Sequence, residues 1–116
     1  MELIVSSSHI WLSNQPIDFR RSIDGLCDVV NTQLGKNPGD GIFIFYNRAR
    51  DKLKILAWHG NGFVLLYKKL ERGHFFVNAL NENEPMLTNQ QLSWLLAGLD
   101  WKTMTTFGTL TYRDFC

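Results

Sequence analysis

Seven cationic side chains lie close together in the middle of the sequence, a density suited to binding phosphate groups. They fall between Phe43 and Phe76, where seven cations stand against two anions, a formal charge of +5. The rest of the chain holds five cations and nine anions, a formal charge of −4. A nearly neutral protein therefore has a basic, aromatic middle, which is typical of a surface that contacts nucleic acid. The seven cations are Arg48, Arg50, Lys52, Lys54, Lys68, Lys69 and Arg72.

Residue types that hold metals or act as nucleophiles are present, but not at a spacing that these roles require. The three histidines, His9, His59 and His74, lie in different parts of the sequence, far from one another and from a cysteine. Asp24 and Asp28 share one helix face, but no third oxygen ligand accompanies them. The glycine-rich phosphate loops and the strand–serine–helix motif of hydrolases are missing from the sequence. We therefore expect a protein that is not an enzyme, with no catalytic residue, metal site or cofactor.

The length and composition predict one globular domain, residues 1–116. A chain of 116 residues with 45% hydrophobic and 13% aromatic residues can bury a core. The two cysteines, Cys27 and Cys116, are too few for a disulfide framework and favour reduced thiols. The sequence has neither a signal-peptide pattern nor an apolar run of about 18 residues. We expect a cytoplasmic protein without a membrane partner.

The cations need a scaffold, and its first predicted element is an amphipathic helix. Asp18 is a suitable N-cap, and Gly35 is a suitable stop. Between them, apolar residues recur at helical spacing and form one stripe. The stripe consists of Phe19, Ile23, Leu26, Val30 and Leu34.

Strands are predicted in the basic segment. A short strand at Ile10–Leu12 precedes the helix, and His59-Gly60-Asn61-Gly62 is a hairpin signal. Ile42–Tyr46 is apolar on both faces, which is typical of a central strand. The sequence thus predicts an antiparallel meander of about four strands. These strands are Ile42–Tyr46, Lys52–Trp58, Phe63–Leu70 and His74–Val77.

A second helix follows the strands. Thr88 and Gln91 form a capping-box signal, and leucines recur behind them at helical spacing. The predicted fold class is α+β: a small antiparallel β-meander of about four strands, with one helix before it and one after it.

The hairpin predicts which side chains share a face of the sheet. If Trp58 pairs with Phe63, then Lys54 lies opposite Tyr67 and Lys52 lies opposite Lys69, all on one face. That face would change from aromatic at the hairpin tip to basic at the far end. The opposite face, with Leu53, Ile55 and Ala57, is the better core. Because two facing lysines repel each other, an anion is expected nearby.

Four segments of the chain resemble one known family. They are IWLSNQPIDFRRSIDGL (10–26), FIFYNRARDKLKILAW (43–58), GFVLLYKKLERGHF (62–75) and LTNQQLSWLLAGLDW (87–101). Together they resemble the small TnpB accessory proteins, products of the second open reading frame of IS66-type bacterial insertion sequences. The resemblance covers about residues 9–101 and leaves 102–116 as a C-terminal tail. Where the family usually has an Asp after the hairpin tryptophan, this chain has His59.

The resemblance implies a non-catalytic role in transposition, beside a separate, larger transposase of the DDE type. DNA is one expected partner, bound through phosphate contacts by the seven cations of the basic segment. Arg20 and Arg21 would extend this surface if the first helix packs against the same edge. The competing interpretation is a solvated set of cations whose stems cover apolar surface.

A second functional hypothesis is a protein–protein adaptor. Aromatic side chains would then dock on the transposase or on a second copy of the chain. The candidate anchors are Trp58, Phe63, Trp94 and Trp101. Ordinary core packing is the alternative role for each of them, and the oligomeric state stays open.

Overall fold

The computed structural model describes residues 9–77 and 86–99. Within these ranges the elements follow one another along the chain, and the sheet has five strands in the order β4-β3-β2-β1-β5. A single 3-10 turn at Pro38–Asp40 leads into the second strand. The strands and helices are β1 (Ile10–Leu12), α1 (Ile23–Thr32), β2 (Ile42–Tyr46), β3 (Lys52–His59), β4 (Gly62–Lys69), β5 (Met86–Leu87) and α2 (Asn89–Leu96).

The predicted α+β class is confirmed, and the meander is part of a larger mixed sheet. β2, β3 and β4 pair antiparallel, as the sequence predicts. β1 pairs parallel to β2, because α1 carries the chain back to the end where β1 begins. β5 pairs antiparallel with the other edge of β1. β2 is therefore the middle strand, and all five of its residues are buried.

The predicted strand at His74–Val77 is wrong. These residues have no strand pairing, although Phe75 and Val77 are buried on the α2 side of the sheet. Gly73 adopts a positive φ of 79° and turns the chain after β4. The Phe75 N–H then donates to the Arg50 carbonyl at 2.6 Å, so the segment is tied to the β2–β3 turn. The alternation of buried side chains at Phe75 and Val77 therefore results from packing on the α2 side of the sheet and not from strand pairing.

Both faces of the sheet are covered, so the domain has three layers. On one side Leu26 and Val30 of α1 pack with Phe43 and Leu56 of the sheet. On the other side Leu95 of α2 joins a cluster of strand residues with Phe75 and Val77. The expectation that the Leu53, Ile55 and Ala57 face is the core is correct but incomplete. The face that carries Leu56 is a second core because α1 lies across it.

The predicted N-cap Asp18 is wrong. α1 begins at Ile23, and Ser22 occupies the N-cap position without a side-chain hydrogen bond. The Asp18 carboxylate instead accepts from the backbone N–H of Arg20 at 2.9 Å. Phe19 lies outside the helix yet still packs in the α1-side core. The predicted stop is confirmed, because Gly35 follows the helix with a φ of 62°.

The second helix begins as predicted. The Thr88 hydroxyl accepts from the Gln91 N–H at 3.1 Å, and the Gln91 side chain accepts from the Thr88 N–H at 2.9 Å. Neither helix in residues 9–77 and 86–99 has the length and apolar character needed to cross a membrane. The proposed anchor Trp101 and the tail 102–116 lie outside the described residues.

Candidate nucleic-acid interface

The hairpin register predicted from the sequence is confirmed. Trp58 pairs with Phe63, Lys54 with Tyr67, and Lys52 with Lys69. The aromatic pair lies at the hairpin tip, with ring centroids 5.0 Å apart and an interplanar angle of 76°. The lysine pair lies at the opposite end of the same strands, next to the β2–β3 turn. The hairpin is therefore aromatic at its tip and basic at its other end, as the sequence predicts.

Asn47 organises the β2–β3 turn. Its side-chain oxygen accepts from the Lys52 N–H at 3.1 Å, and its side-chain amide donates to the Asp51 carboxylate at 2.6 Å. The Arg50 N–H donates to the Asn47 carbonyl at 3.0 Å. These bonds hold Arg50 at a φ of 61°, a left-handed conformation that is costly for a residue with a Cβ. The turn places Arg48 at an exposed position.

Asp51 is an anion beside the facing lysines. Its hydrogen bond from Asn47 lowers the pKa of its carboxyl group, and the charges of Lys52 and Lys69 lower that pKa further. Asp51 therefore stays ionised and offsets part of the repulsion between the two lysines. The Asp51 carbonyl also accepts from the Leu70 N–H at 2.8 Å, which brings the end of β4 to this turn.

Lys54, one of the predicted phosphate contacts, does not lie on the surface, and its ammonium group is bonded inside the protein. Its residue is only 8% exposed. The ammonium group donates to the carbonyls of Phe19 at 2.6 Å and Arg21 at 2.8 Å. It also lies 5.0 Å from the centroid of the Phe19 ring and 5.9 Å from that of Tyr67. Lys54 thus fastens the segment before α1 onto the face of β3.

Lys68 is separated from the other cations. It alternates to the α2 side of the sheet, and its ammonium group donates to the Leu96 carbonyl at the C-terminus of α2. A cation at this position satisfies a helix-terminal carbonyl and complements the helix dipole. The structure therefore does not bring Lys68 together with Lys52 and Lys69.

Arg20 and Arg21 lie at the same end of the sheet as the β2–β3 turn. The Ile17 N–H donates to the Tyr46 carbonyl at 3.0 Å, so the chain passes beside the end of β2 just before these arginines. The Lys54 ammonium then binds the Arg21 carbonyl. Both arginines are exposed. The segment that carries these arginines therefore lies beside the β2–β3 turn, and its place in a DNA-binding surface stays a prediction.

Arg20 is paired with an anion. Its guanidinium lies 2.6 Å from the Asp18 carboxylate, with the Arg20 side chain 91% exposed. Hydrogen bonds from the Arg20 side chain and backbone lower the pKa of Asp18 to about 2. Asp18 is therefore ionised at neutral pH and offsets one positive charge.

Seven cations thus meet at one end of the sheet, and we call this surface the basic edge. Two come from the segment before α1, three from the β2–β3 turn and the start of β3, and two from the end of β4 and the turn after it. Its members are Arg20, Arg21, Arg48, Arg50, Lys52, Lys69 and Arg72. Arg50 and Lys52 are partly buried, and the others are exposed.

The candidate aromatic anchors are in different environments. Trp58 is 44% exposed at the hairpin tip, and Phe63 is partly buried beside it. Trp94 is partly buried and packs against the α2-side core, so it contributes to the fold. Tyr67, which was not among the candidate site residues, is 54% exposed at the basic end of β4. Its place on the same face as Lys69 was readable from their spacing of two.

Residues with catalytic potential are scattered. In the described part of the chain, no group of three or more His, Cys, Asp or Glu residues could hold a metal ion. Cys27 is a free thiol, and burial followed by the charge of Asp24 raises its pKa, which favours the unreactive protonated form. Cys116 lies outside the described residues.

Comparison with known proteins matches this chain to one family and to two relatives. The family model TnpB_IS66, described as IS66 Orf2 like protein, matches residues 8–106. An uncharacterized protein of Sinorhizobium fredii, y4jC, is 37% identical over 93 residues, covering 79% of this chain and 80% of the relative. A second uncharacterized protein of that organism, y4hO, is 33% identical over 94 residues, covering 80% and 82%. No solved structure matches the chain.

Proposed function

This chain belongs to the family of IS66 Orf2 like proteins, and from that premise we propose that it is a non-catalytic accessory protein of insertion-sequence transposition that contacts DNA through the basic edge. The family supplies the biological process. The proposed DNA contact depends on the convergence of three separate basic segments at one end of the sheet.

Specific hydrogen bonds hold the basic segments next to one another. Lys54 holds the Phe19–Arg21 segment, and the Asp51 carbonyl holds the end of β4. These bonds bring the backbone of the segment before α1 and of the end of β4 close to the β2–β3 turn, so residues that carry exposed cations lie at one end of the sheet. A solvated surface of unrelated lysines and arginines would not require this arrangement.

The electrostatics of the edge favour an anionic partner. Asp18 is paired with Arg20, and Asp51 accepts from Asn47 beside Lys52 and Lys69. Glu71 adds a third anion between Lys69 and Arg72. The seven cations of the edge still outnumber these three anions, so a net positive charge is available for phosphate groups. Phosphate contacts position a protein on DNA and carry little sequence information. We therefore infer a positioning role with modest sequence preference.

Charge reversal tests the proposal. Fluorescence anisotropy would measure the affinity of the full chain, and of Arg48→Glu, for a labelled duplex carrying an insertion-element end. Lys36→Glu is the matched control, because it makes the same charge change at the far end of β2, where Lys36 lies 3.7 Å from the Trp11 ring centroid. We expect Arg48→Glu to weaken binding about tenfold or more at low salt and Lys36→Glu to change it far less. Equal affinity of Arg48→Glu and the unchanged protein would overturn the proposal.

A protein–protein adaptor is the second candidate, and the exposed Trp58 favours it. An indole that is 44% exposed beside Phe63 can serve as an anchor for a partner such as the transposase. A pull-down with the transposase of the same element would compare Trp58→Ala with Trp94→Ala. Loss of capture with Trp58→Ala at unchanged stability would support this role. Capture that is unaffected would exclude Trp58 as the anchor.

A further inference from the structure

Tyr67 is a large aromatic side chain whose location differs from that of the other exposed hydrophobic residues. Among the described residues, Trp58, Tyr67, Phe76 and Met86 are the exposed large hydrophobics. Tyr67 alone lies next to the exposed lysine of the β3–β4 pair, two positions before Lys69 on the same face of β4. Its 54% exposure is the highest of the four.

The Tyr67 ring is held in place by neighbours that do not cover it. The Phe19 ring meets it edge-on, with centroids 6.2 Å apart and an interplanar angle of 61°. The buried Lys54 ammonium lies 5.9 Å from its centroid. Lys54 and Phe19 are themselves bonded across the contact between β3 and the segment before α1, so these neighbours restrict the ring before any partner binds. A fixed, exposed ring loses little conformational entropy when a second flat group stacks on it.

Two cations lie near this ring at positions set by the sheet. The Cα atom of Lys69 is about 7 Å along the strand, and Lys52 is directly across from Lys69. The Arg21 carbonyl binds the ammonium group near the Tyr67 ring, but the Arg21 side-chain stem lies beside Gly25 of α1. An aromatic ring flanked by cations is the arrangement with which proteins bind single-stranded nucleic acid.

We propose that Tyr67, with Lys69 and Lys52, forms a subsite for an unpaired nucleotide, the base stacking on the Tyr67 ring and the flanking phosphates lying against the two lysines. This inference rests on the proposed DNA contact and makes it more specific. Bases in an intact duplex are already stacked on their neighbours, so a blunt duplex gains nothing from the ring. An unpaired base at a strand end, a gap or an overhang gains a stacking partner in the ring.

The test compares two DNA probes that differ only in an unpaired strand. Anisotropy would measure the affinity of the full chain for a blunt duplex and for the same duplex with a short single-stranded overhang. One stacked base contributes about 5-fold to 150-fold in affinity, so we expect the overhang to bind tighter within that range. Tyr67→Leu should remove this preference, and Tyr67→Phe should keep it because the hydroxyl is not needed for stacking. Trp58→Leu is the matched control, since that ring lies on the same face at the other end of the hairpin.

The outcomes separate this inference from the proposed function. Salt-sensitive binding of both probes with equal affinity would overturn the Tyr67 subsite and leave the basic edge intact. A preference for the overhang that survives Tyr67→Leu would also overturn it, because the strand would then bind elsewhere. Binding of neither probe would overturn the proposed function itself. If Tyr67→Leu fails to fold, photocrosslinking of the unchanged protein to an overhang carrying 5-iodouracil replaces it: we expect a crosslink at Tyr67, and a crosslink confined to other residues contradicts the subsite.

Discussion

Lys54 has a structural role that its place in a basic segment conceals. Its ammonium group is buried and donates hydrogen bonds to the backbone carbonyls of Phe19 and Arg21. A buried acceptor that loses its donor costs about 1–3 kcal/mol. Together with the Ile17 bond to the Tyr46 carbonyl and the packing of Phe19, this side chain holds the segment that carries Arg20 and Arg21.

We predict that Lys54→Met lowers the free energy of unfolding by about 1–3 kcal/mol, because methionine fills similar space without the donor. Lys52→Met, two residues earlier on the same face, should change it by less than about 0.5 kcal/mol. Urea unfolding followed by tryptophan fluorescence measures both. Equal midpoints for the two variants would show that the Lys54 bonds contribute nothing.

The contribution of the Asp18–Arg20 pair to stability depends on pH. Its pKa is lowered to about 2 by the hydrogen bonds from Arg20, against an ordinary value of 3.8. A lowered pKa in the folded state means that the pair stabilises the protein above pH 3.8 and that this contribution is lost as the pH falls toward 2. We predict that Arg20→Gln returns the Asp18 pKa toward its ordinary value, measured by carboxyl-detected NMR titration. The same low midpoint in that variant would contradict the assigned cause.

The β2–β3 turn holds a charged residue, Arg50, in a backbone conformation that favours glycine. Arg50 adopts a φ of 61°, which a glycine would adopt without steric cost. We predict that Arg50→Gly is more stable than Arg50→Ala by about 1 kcal/mol, because alanine keeps the strained conformation.

DNA affinity provides the complementary readout for these two variants. Both lose the guanidinium, so both should bind DNA more weakly and to a similar degree. Thermal unfolding and anisotropy on the same samples separate the two effects. Equal stability of the glycine and alanine variants would mean that the turn is unstrained.

The elements differ in how far the sequence predicts them. The β3–β4 register follows from a short glycine-containing turn and strict alternation, and β2 is central because both of its faces are apolar. The start of α1 was not predictable, because Asp18 has the residue type of an N-cap but binds Arg20. The segment His74–Val77 alternates like a strand, since two of its side chains are buried, yet it has no ladder partner.

The sequence indicated where the cations cluster, but not which lysines belong to that cluster. Charge counts and the hairpin register identify the basic end. Lys54 and Lys68 could not be distinguished from the lysines of the basic edge, because their partners are carbonyls of Phe19, Arg21 and Leu96, remote in sequence. Such bonds leave no pattern in the chain, since every residue supplies a carbonyl.

At the scale of the whole molecule, the described residues form three layers, with α1 packed on one face of the sheet and α2 on the other. The exposed rings of Tyr67 and Trp58 lie toward opposite ends of the β3–β4 hairpin. One end carries the basic edge with Tyr67, and the other carries the hairpin tip with Trp58. Because the basic edge and Trp58 lie at opposite ends of the hairpin, the proposed DNA and adaptor roles are testable by separate mutations.

The most direct test of the account is the salt dependence of DNA binding by two variants that are neighbours in sequence. Each phosphate contact contributes about −0.9 to the slope of the logarithm of affinity against the logarithm of salt concentration. Lys69 lies on the basic edge, and Lys68 lies on the α2 side, bound to the Leu96 carbonyl. We predict that Lys69→Ala makes the slope shallower by about 0.9 and that Lys68→Ala leaves it unchanged while lowering stability. A slope near zero for the unchanged protein, or an equal change for both lysines, would contradict the basic edge as the DNA-binding surface.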